Sequence, residues 1–301
     1  MNKNKLLTKY SFRASRANTI LALSDDLSIK DVKIAKKIAL NNEIISNNYK
    51  VLALANELSM YYASKKKLDI ETYKKTTHNI SLNLSKTKKE KLKRAKEQIS
   101  ILNTNYQSRI SYGFLHQGQN YLHLSLRPAM HDIFENNYAF TKGNTIEFFK
   151  SSFKINHNSL KIDEFSLLSI TSLSDFNMLF YPLSYSFSLD YGDILSQNKI
   201  NLKLKLGLAK ISNNYLFAYL LGTKAFKNNL SFDNSFIFSY FKNTNTFSLL
   251  YERNFYKNKI QDDDIYIKFQ RQIARNFDIF LDYKISKYQK NRFLSSFRFY
   301  F

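Results

Sequence analysis

The spacing of apolar and polar residues along this chain changes once, near Tyr106. Upstream the apolar positions recur at helical intervals. Ser28-Ile29-Lys30-Asp31 fits a capping box, with Leu27 and Val32 placed for a hydrophobic staple. Ile34, Ala35, Ile38 and Ala39 follow on one helical face, and Val51, Leu54, Ala55, Leu58 and Tyr62 form a second. A third helix is expected from Ile70 to about Ile101, lysine-rich between Lys86 and Lys96. No proline interrupts these stretches, so residues 1–105 read as a basic helical segment.

Downstream the period falls to two. Ile200, Leu202, Leu204, Leu206 and Leu208 alternate with Asn201, Lys203, Lys205, Gly207 and Ala209. Phe277, Ile279, Leu281, Tyr283 and Ile285 alternate with Asp278, Phe280, Asp282 and Lys284. Twelve such segments are expected, near 108–115, 119–127, 145–154, 160–171, 183–191, 199–210, 214–223, 230–241, 245–254, 263–273, 276–285 and 291–301. Each is about the length that a tilted strand needs to cross a bilayer. A soluble sandwich alternates too, but three features favour a membrane barrel. Lys, Asp and Arg sit at mid-strand on the polar faces, as a wet lumen permits. Aromatic residues crowd the strand ends. Finally Phe293, Phe297, Phe299 and Phe301 share a face opposite Arg292, Arg298 and Tyr300. Phe297, Phe299 and Phe301 resemble the C-terminal signal read by the barrel-assembly machinery. The expected fold is therefore α+β: an N-terminal helical segment (1–105), then an antiparallel outer-membrane β-barrel of about 12 strands (106–301).

Turn lengths orient such a barrel, because short turns are periplasmic and long loops external. Tight turns are expected near 211–213, 242–244 and 274–275, and longer loops near 192–198, 224–229, 255–262 and 286–290. Two connections on the short side, 128–144 and 172–182, are long nevertheless, and they hold both prolines.

The net charge of +22 divides into +13 over residues 1–105 and +9 over the remainder. It admits anionic lipid, lipopolysaccharide or nucleic acid as partner, or simply a Lys- and Asn-rich composition. A barrel places the helical half outside the cytoplasm, so no nucleic-acid partner is expected. Cysteine is absent, which removes disulfides, thiolate metal sites and a Cys nucleophile. No run of 18 apolar residues occurs, so a transmembrane helix is not expected. Residues 1–25 lack a secretory pattern, which leads us to expect that the chain is the downstream part of a longer protein.

Candidate chemistry gathers in the first long loop, where Arg127, Pro128, His131 and Asp132 lie together, with Pro182 ending the second. His131 and Asp132 are adjacent, their side chains need not face each other, and no nucleophile is marked nearby. The expected role is loop locking, with Arg127 as a hydrogen-bond hub; ligand binding or catalysis are the alternatives. His116 and His123 flank the first hairpin turn, and Asp262-Asp263-Asp264 reads as an acidic loop tip before a Ca²⁺ site. With no phosphate-cradling loop, zinc spacing or nucleophile elbow, neither cofactor nor metal is expected, and an enzyme is disfavoured.

The stretch LHLSLRPAMHDIFENNYAFTKGNTIEFF, followed by KIDEFSLLSITSLSDFNMLFYPLSYSFSLDYG, resembles the C-terminal region of Lnb N-terminal periplasmic domain-containing proteins, a Gram-negative envelope family. The resemblance covers about residues 119–192 and rests on an Arg-Pro-Ala-x-His-Asp motif, here Arg127 to Asp132. It implies a barrel preceded by helical parts and, further upstream, a periplasmic and hydrolytic domain that residues 1–105 do not resemble. Asp175-Phe176 stands where the family pattern is more basic. The functions this leaves are a barrel anchoring a periplasmic module, a small channel, and a periplasm-facing envelope-modifying hydrolase.

Overall fold

In the computed structural model the chain divides near residue 100 into two compact units. Residues 14–95, 106–128, 131–135, 142–157, 159–177, 179–194, 197–212, 214–226, 229–256 and 259–301 are described.

The first unit contains four helices, α1 (Arg16–Ser24), α2 (Ile29–Asn41), α3 (Tyr49–Ser64) and α4 (Ile70–Lys86). Each starts on a capping side chain: Ser15, Ser28, Asn48 and Asp69 accept from the first-turn amides. α3 is the central helix, with Val51, Leu52, Leu54, Ala55 and Leu58 fully buried against its three neighbours. Two expectations change here. α1 was not foreseen, because RANTILALS is short and weakly amphipathic. The third expected helix stops at Lys86, where Thr87 turns extended. Residues 88–95 carry no helix; Lys88 and Lys91, and Lys89 and Lys93, would repel one another on a helix face, and Lys93 instead reaches Asp25 at 2.9 Å. The expected stretch 96–101 lies outside the described residues.

The second unit is a closed antiparallel barrel of twelve strands. They are β1 (Arg109–His116), β2 (Asn120–Arg127), β3 (Asn144–Asn156), β4 (Ser159–Ser172), β5 (Ser184–Ile194), β6 (Gln197–Ile211), β7 (Tyr215–Phe226), β8 (Asn229–Lys242), β9 (Asn245–Tyr256), β10 (Lys259–Ala274), β11 (Phe277–Ser286) and β12 (Arg292–Tyr300). Neighbours in sequence are neighbours in the sheet, and β1 closes the ring on β12 from Arg109↔Tyr300 to His116↔Phe293. Closure leaves no unpaired edge, which is what a sheet in hydrocarbon requires. The two faces match that setting. Ile110, Tyr112, Phe114, Leu204, Leu206 and Phe217 project outward, while Ser111, His123, Ser125, Lys205, Asp233 and Arg298 are buried inside. At the end where β1 starts and β12 finishes, outward aromatic rings form a girdle: Tyr215–Tyr240 (5.0 Å between centroids), Phe217–Phe238 (4.8 Å) and Phe277–Phe299 (4.9 Å). Phe297, Phe299 and Phe301 all face out. This is an outer-membrane type of barrel.

The strands match the expected segments closely, but they run longer at one end. Pairing continues to Ile194↔Gln197, Phe226↔Asn229 and Tyr256↔Lys259. Strand pairing therefore takes up most of the residues expected as loops at 192–198, 224–229 and 255–262. Asp262–Asp264 sits in β10 and not on a loop tip; Asp263 meets Arg253 at 3.0 Å and Asp264 meets Lys284 at 2.8 Å. Strict alternation also fails at bulges in β3 and β4. Phe148 and Phe149 both face outward, Phe149 with φ of 49°, so that Lys150 stays inside. The skipped register at Asp163 turns two consecutive carboxylates, Asp163 and Glu164, toward basic side chains in the lumen.

Strand β6 approaches β7 closely through glycine. A Cβ at Gly207 would lie 1.9 Å from the Tyr219 carbonyl oxygen. Gly207→Ala is therefore expected to push the two strands apart and to cost about 1–3 kcal/mol, read as an earlier urea midpoint of the folded band on unboiled gels. An unchanged midpoint would show that the strands yield freely there.

Candidate functional site

The lumen is not an empty pipe. β7 reads Tyr215-Leu216-Phe217-Ala218-Tyr219-Leu220-Leu221, apolar on both faces. Its inner face, with Ala209, Ile237 and Phe241, buries Phe134 and Leu173 from the two long connections. The segment 131–135 thus folds back into the barrel as a plug at the Arg109/Tyr300 end.

A carboxylate latches it. Glu135 accepts from Arg127 in a bidentate fork, Nη1 to Oε1 at 2.8 Å and Nη2 to Oε2 at 3.0 Å. Arg109 Nη1 donates to Oε1 at 2.6 Å and the Asp132 backbone amide to Oε2 at 3.0 Å, while Tyr300 Oη lies 3.2 Å from Oε1 and 2.5 Å from Asp278 Oδ2. Arg127 is fully buried and also lies 3.4 Å from Glu147. The three wall residues come from β1, β2 and β12, whose pairing at the barrel seam places them side by side.

Burial opposes a charge on Glu135, but Arg127 and Arg109 outweigh it and hold its carboxyl well below the usual carboxylate range. A depressed folded pKa means that the latch contributes fully above about pH 4.5, the ordinary glutamate value, and is lost as pH falls below it. Amide protection in 131–135, measured by hydrogen exchange and corrected for intrinsic rates, is expected to hold from neutrality to about pH 5 and to decline only in stronger acid. A decline centred near neutrality would contradict this assignment of the latch.

The candidate residues read from the sequence divide between the two loops. Arg127 is the hub described above. Pro128 is exposed, and its carbonyl accepts from Ser108 Oγ. His131 is buried, with its carbonyl bonded by Thr145 Oγ1, and burial pushes its imidazole below the ordinary value. Asp132 accepts from the Phe134 amide at 3.1 Å, so its carboxylate shapes the turn that presents Phe134. Pro182 is on the other connection, two residues before β5, and is not part of this cluster. There Asp175 accepts from the Ile211 amide at 2.8 Å and Phe176 donates to the Ala209 carbonyl at 2.7 Å. The segment thereby covers the end of β6 beyond its last pair with β5, Ser184↔Gly207. The loops meet where the Leu173 amide donates to the Gly143 carbonyl at 2.9 Å.

Sequence reasoning missed Glu135, Arg109, Tyr300 and Phe134. One signal was available: the doubly apolar run in β7, which needs an apolar partner inside the lumen.

Beside the plug the lumen keeps a cavity of about 300 Å³ and one of about 180 Å³. Lys150, Lys268 and Asp132 border both. Ion pairs cross the interior: Lys205 with Asp233 (3.1 Å) and Glu252 (2.9 Å), and Arg292 with Asp163 (2.8 Å). His123 stands 3.7 Å from Asp163. Lys268 leans over the Phe134 ring at 4.1 Å. Among the described residues no group of three His, Asp or Glu side chains is placed to hold a metal.

Residues 103–295 match a family model described as "Domain of unknown function (DUF7840)". No curated protein matches the chain. Among solved structures, the KdgM porin is 14% identical, with 64% of this chain covering 99% of that one at a TM-score of 0.42. The NanC porin is 7% identical, with 64% covering 100% at 0.42. A loop-deletion mutant of OmpT of Vibrio cholerae is 10% identical, with 64% covering 97% at 0.30.

Proposed function

The chain belongs to the DUF7840 family, and we propose that in it a plugged outer-membrane barrel anchors the helical unit in the periplasm. The observation that carries this reading is the latch of Glu135 on Arg109, Arg127 and Tyr300, which holds segment 131–135 inside the lumen. A barrel narrowed by its own chain offers attachment more readily than passage. In this reading the end bearing Arg109 and Tyr300 faces the periplasm, outer-membrane lipid covers the apolar exterior, and the strand carrying Phe297 and Phe299 engages the barrel-assembly machinery. The sequence resemblance to Lnb N-terminal periplasmic domain-containing proteins fits the same picture, in which an upstream periplasmic domain is held at the membrane.

The second reading is a small channel, favoured by the polar lumen with its cavity of about 300 Å³. Planar-bilayer recording separates the two. The anchor reading expects no stable nanosiemens steps from the wild-type chain, and steps once 131–135 is replaced by Gly and Ser. Stable steps from the wild type would overturn it in favour of the channel.

A further inference from the structure

The latch carries a consequence for ligand chemistry. Three of its donors, Arg109, Arg127 and Tyr300, stand on rigid strands, whereas the carboxylate they hold belongs to a connecting segment. Two guanidiniums converging on one buried carboxylate, with the Tyr300 hydroxyl between it and Asp278, form a preorganised anion site, whose planar forks match carboxylate geometry. The donor set exceeds what Glu135 uses. Nε of Arg109 and of Arg127, and Nε and Nη1 of the neighbouring Arg298, are buried with no protein acceptor within hydrogen-bond distance. Arg298 is 5% exposed and stacks over Phe280. Arg109 and Arg298 also line the cavity of about 300 Å³, room enough for the body of a small solute.

We propose that the Arg109–Arg127–Tyr300 wall is a binding site for the carboxylate of a small polar solute, and that Glu135 occupies it as a built-in substitute. A free carboxylate and Glu135 then compete for the same fork, so that binding the solute releases the plug. The site depends on the plug geometry and not on the anchor reading; a conducting wild-type barrel would remove that reading and leave this one to be decided separately.

The test is chemical rescue in the full-length chain, with acetate as probe and chloride as control at equal ionic strength. Glu135→Ala leaves two buried arginines without their carboxylate, so its folded band on unboiled gels should collapse at a lower temperature than the wild type. Acetate is expected to restore at least half of that lost shift, saturably, while chloride does not, and E135A/R127A should gain nothing. In the wild type the sign reverses, with acetate raising amide exchange in 131–135 several-fold. If E135A does not refold, E135Q keeps the shape of the latch and is measured the same way. Equal responses to acetate and chloride, or an equal response from the double variant, would overturn the assignment.

Discussion

Arg127→Ala is expected to destabilise the folded barrel by about 3–5 kcal/mol. Its guanidinium is fully buried and supplies both arms of the fork on Glu135, whose side chain is itself only 2% exposed. Truncation strands that carboxylate in the lumen with Arg109 as its remaining strong partner, and it takes from Glu147 its neighbour at 3.4 Å. The cost comes from leaving a buried charge unpaired and exceeds the net worth of the intact pair. The molecule can limit the damage by letting 131–135 swing out to water, so two readouts are needed. The urea midpoint of the folded band should fall, and amide protection in the loop should drop with it. Removing the stranded charge as well, in R127A/E135Q, should lose less than the sum of the two single variants, with a coupling of about 1 kcal/mol or more. If R127A stays within about 1 kcal/mol of the wild type with its loop still protected, Arg127 is not the hub.

Phe134→Ala ranks second. The ring fills a pocket made by Leu173, Ala209, Leu216, Ala218, Leu220, Ile237 and Phe241, and Lys268 sits over its face. Large-to-small changes of this kind cost about 3–5 kcal/mol when the surroundings cannot collapse. β7, β8 and the end of β6 are rigid strands, so the wall cannot close on the void. The loop can leave, however, and the cost is then capped at the free energy with which the plug docks. The expected signature is regional: exchange in 131–135 rises by orders of magnitude while the strands stay protected, and stable conductance appears. Uniform loss of protection across the strands would mean that Phe134 supports the whole barrel and does not merely seat the plug.

These two residues also mark the boundary of what the sequence made legible. Alternation is a local signal, and it survives wherever one face meets lipid and the other a polar lumen. The run from Ile200 to Leu208 and the run from Phe277 to Ile285 accordingly place β6 and β11 within a few residues. Alternation says which face a side chain takes but not what fills the interior. Arg109 reads as the first residue of a strand, and Glu135 as one polar residue of a loop. They come within 2.6 Å because β1 pairs with β2 and the loop after β2 folds back over that pair. Arg127, His131 and Asp132 were visible as a cluster, because the loop was long where a short turn belonged. The carboxylate that Arg127 grips was not, since nothing in an irregular loop marks which polar residue turns inward, and its contact with Tyr300 depends on closure of β12 on β1. Period-two reading also fails at Phe149 and Asp163, where bulges let consecutive residues share a face. In the helical unit, capping at Ser28 could be read directly, whereas α1 buries Ile20, Ala22 and Leu23 and packs on α3, a tertiary effect.

The most direct test of the central claim, that residues 106–301 close into a membrane barrel, is heat-modifiability of the full-length chain refolded into detergent. A closed barrel resists SDS in the cold because every strand is paired on both sides, so the unboiled sample should migrate apart from the boiled one and keep a trypsin-resistant band. Identical migration of boiled and unboiled samples, from material that stays soluble without detergent, would contradict the barrel and with it the plug, the latch and the carboxylate site.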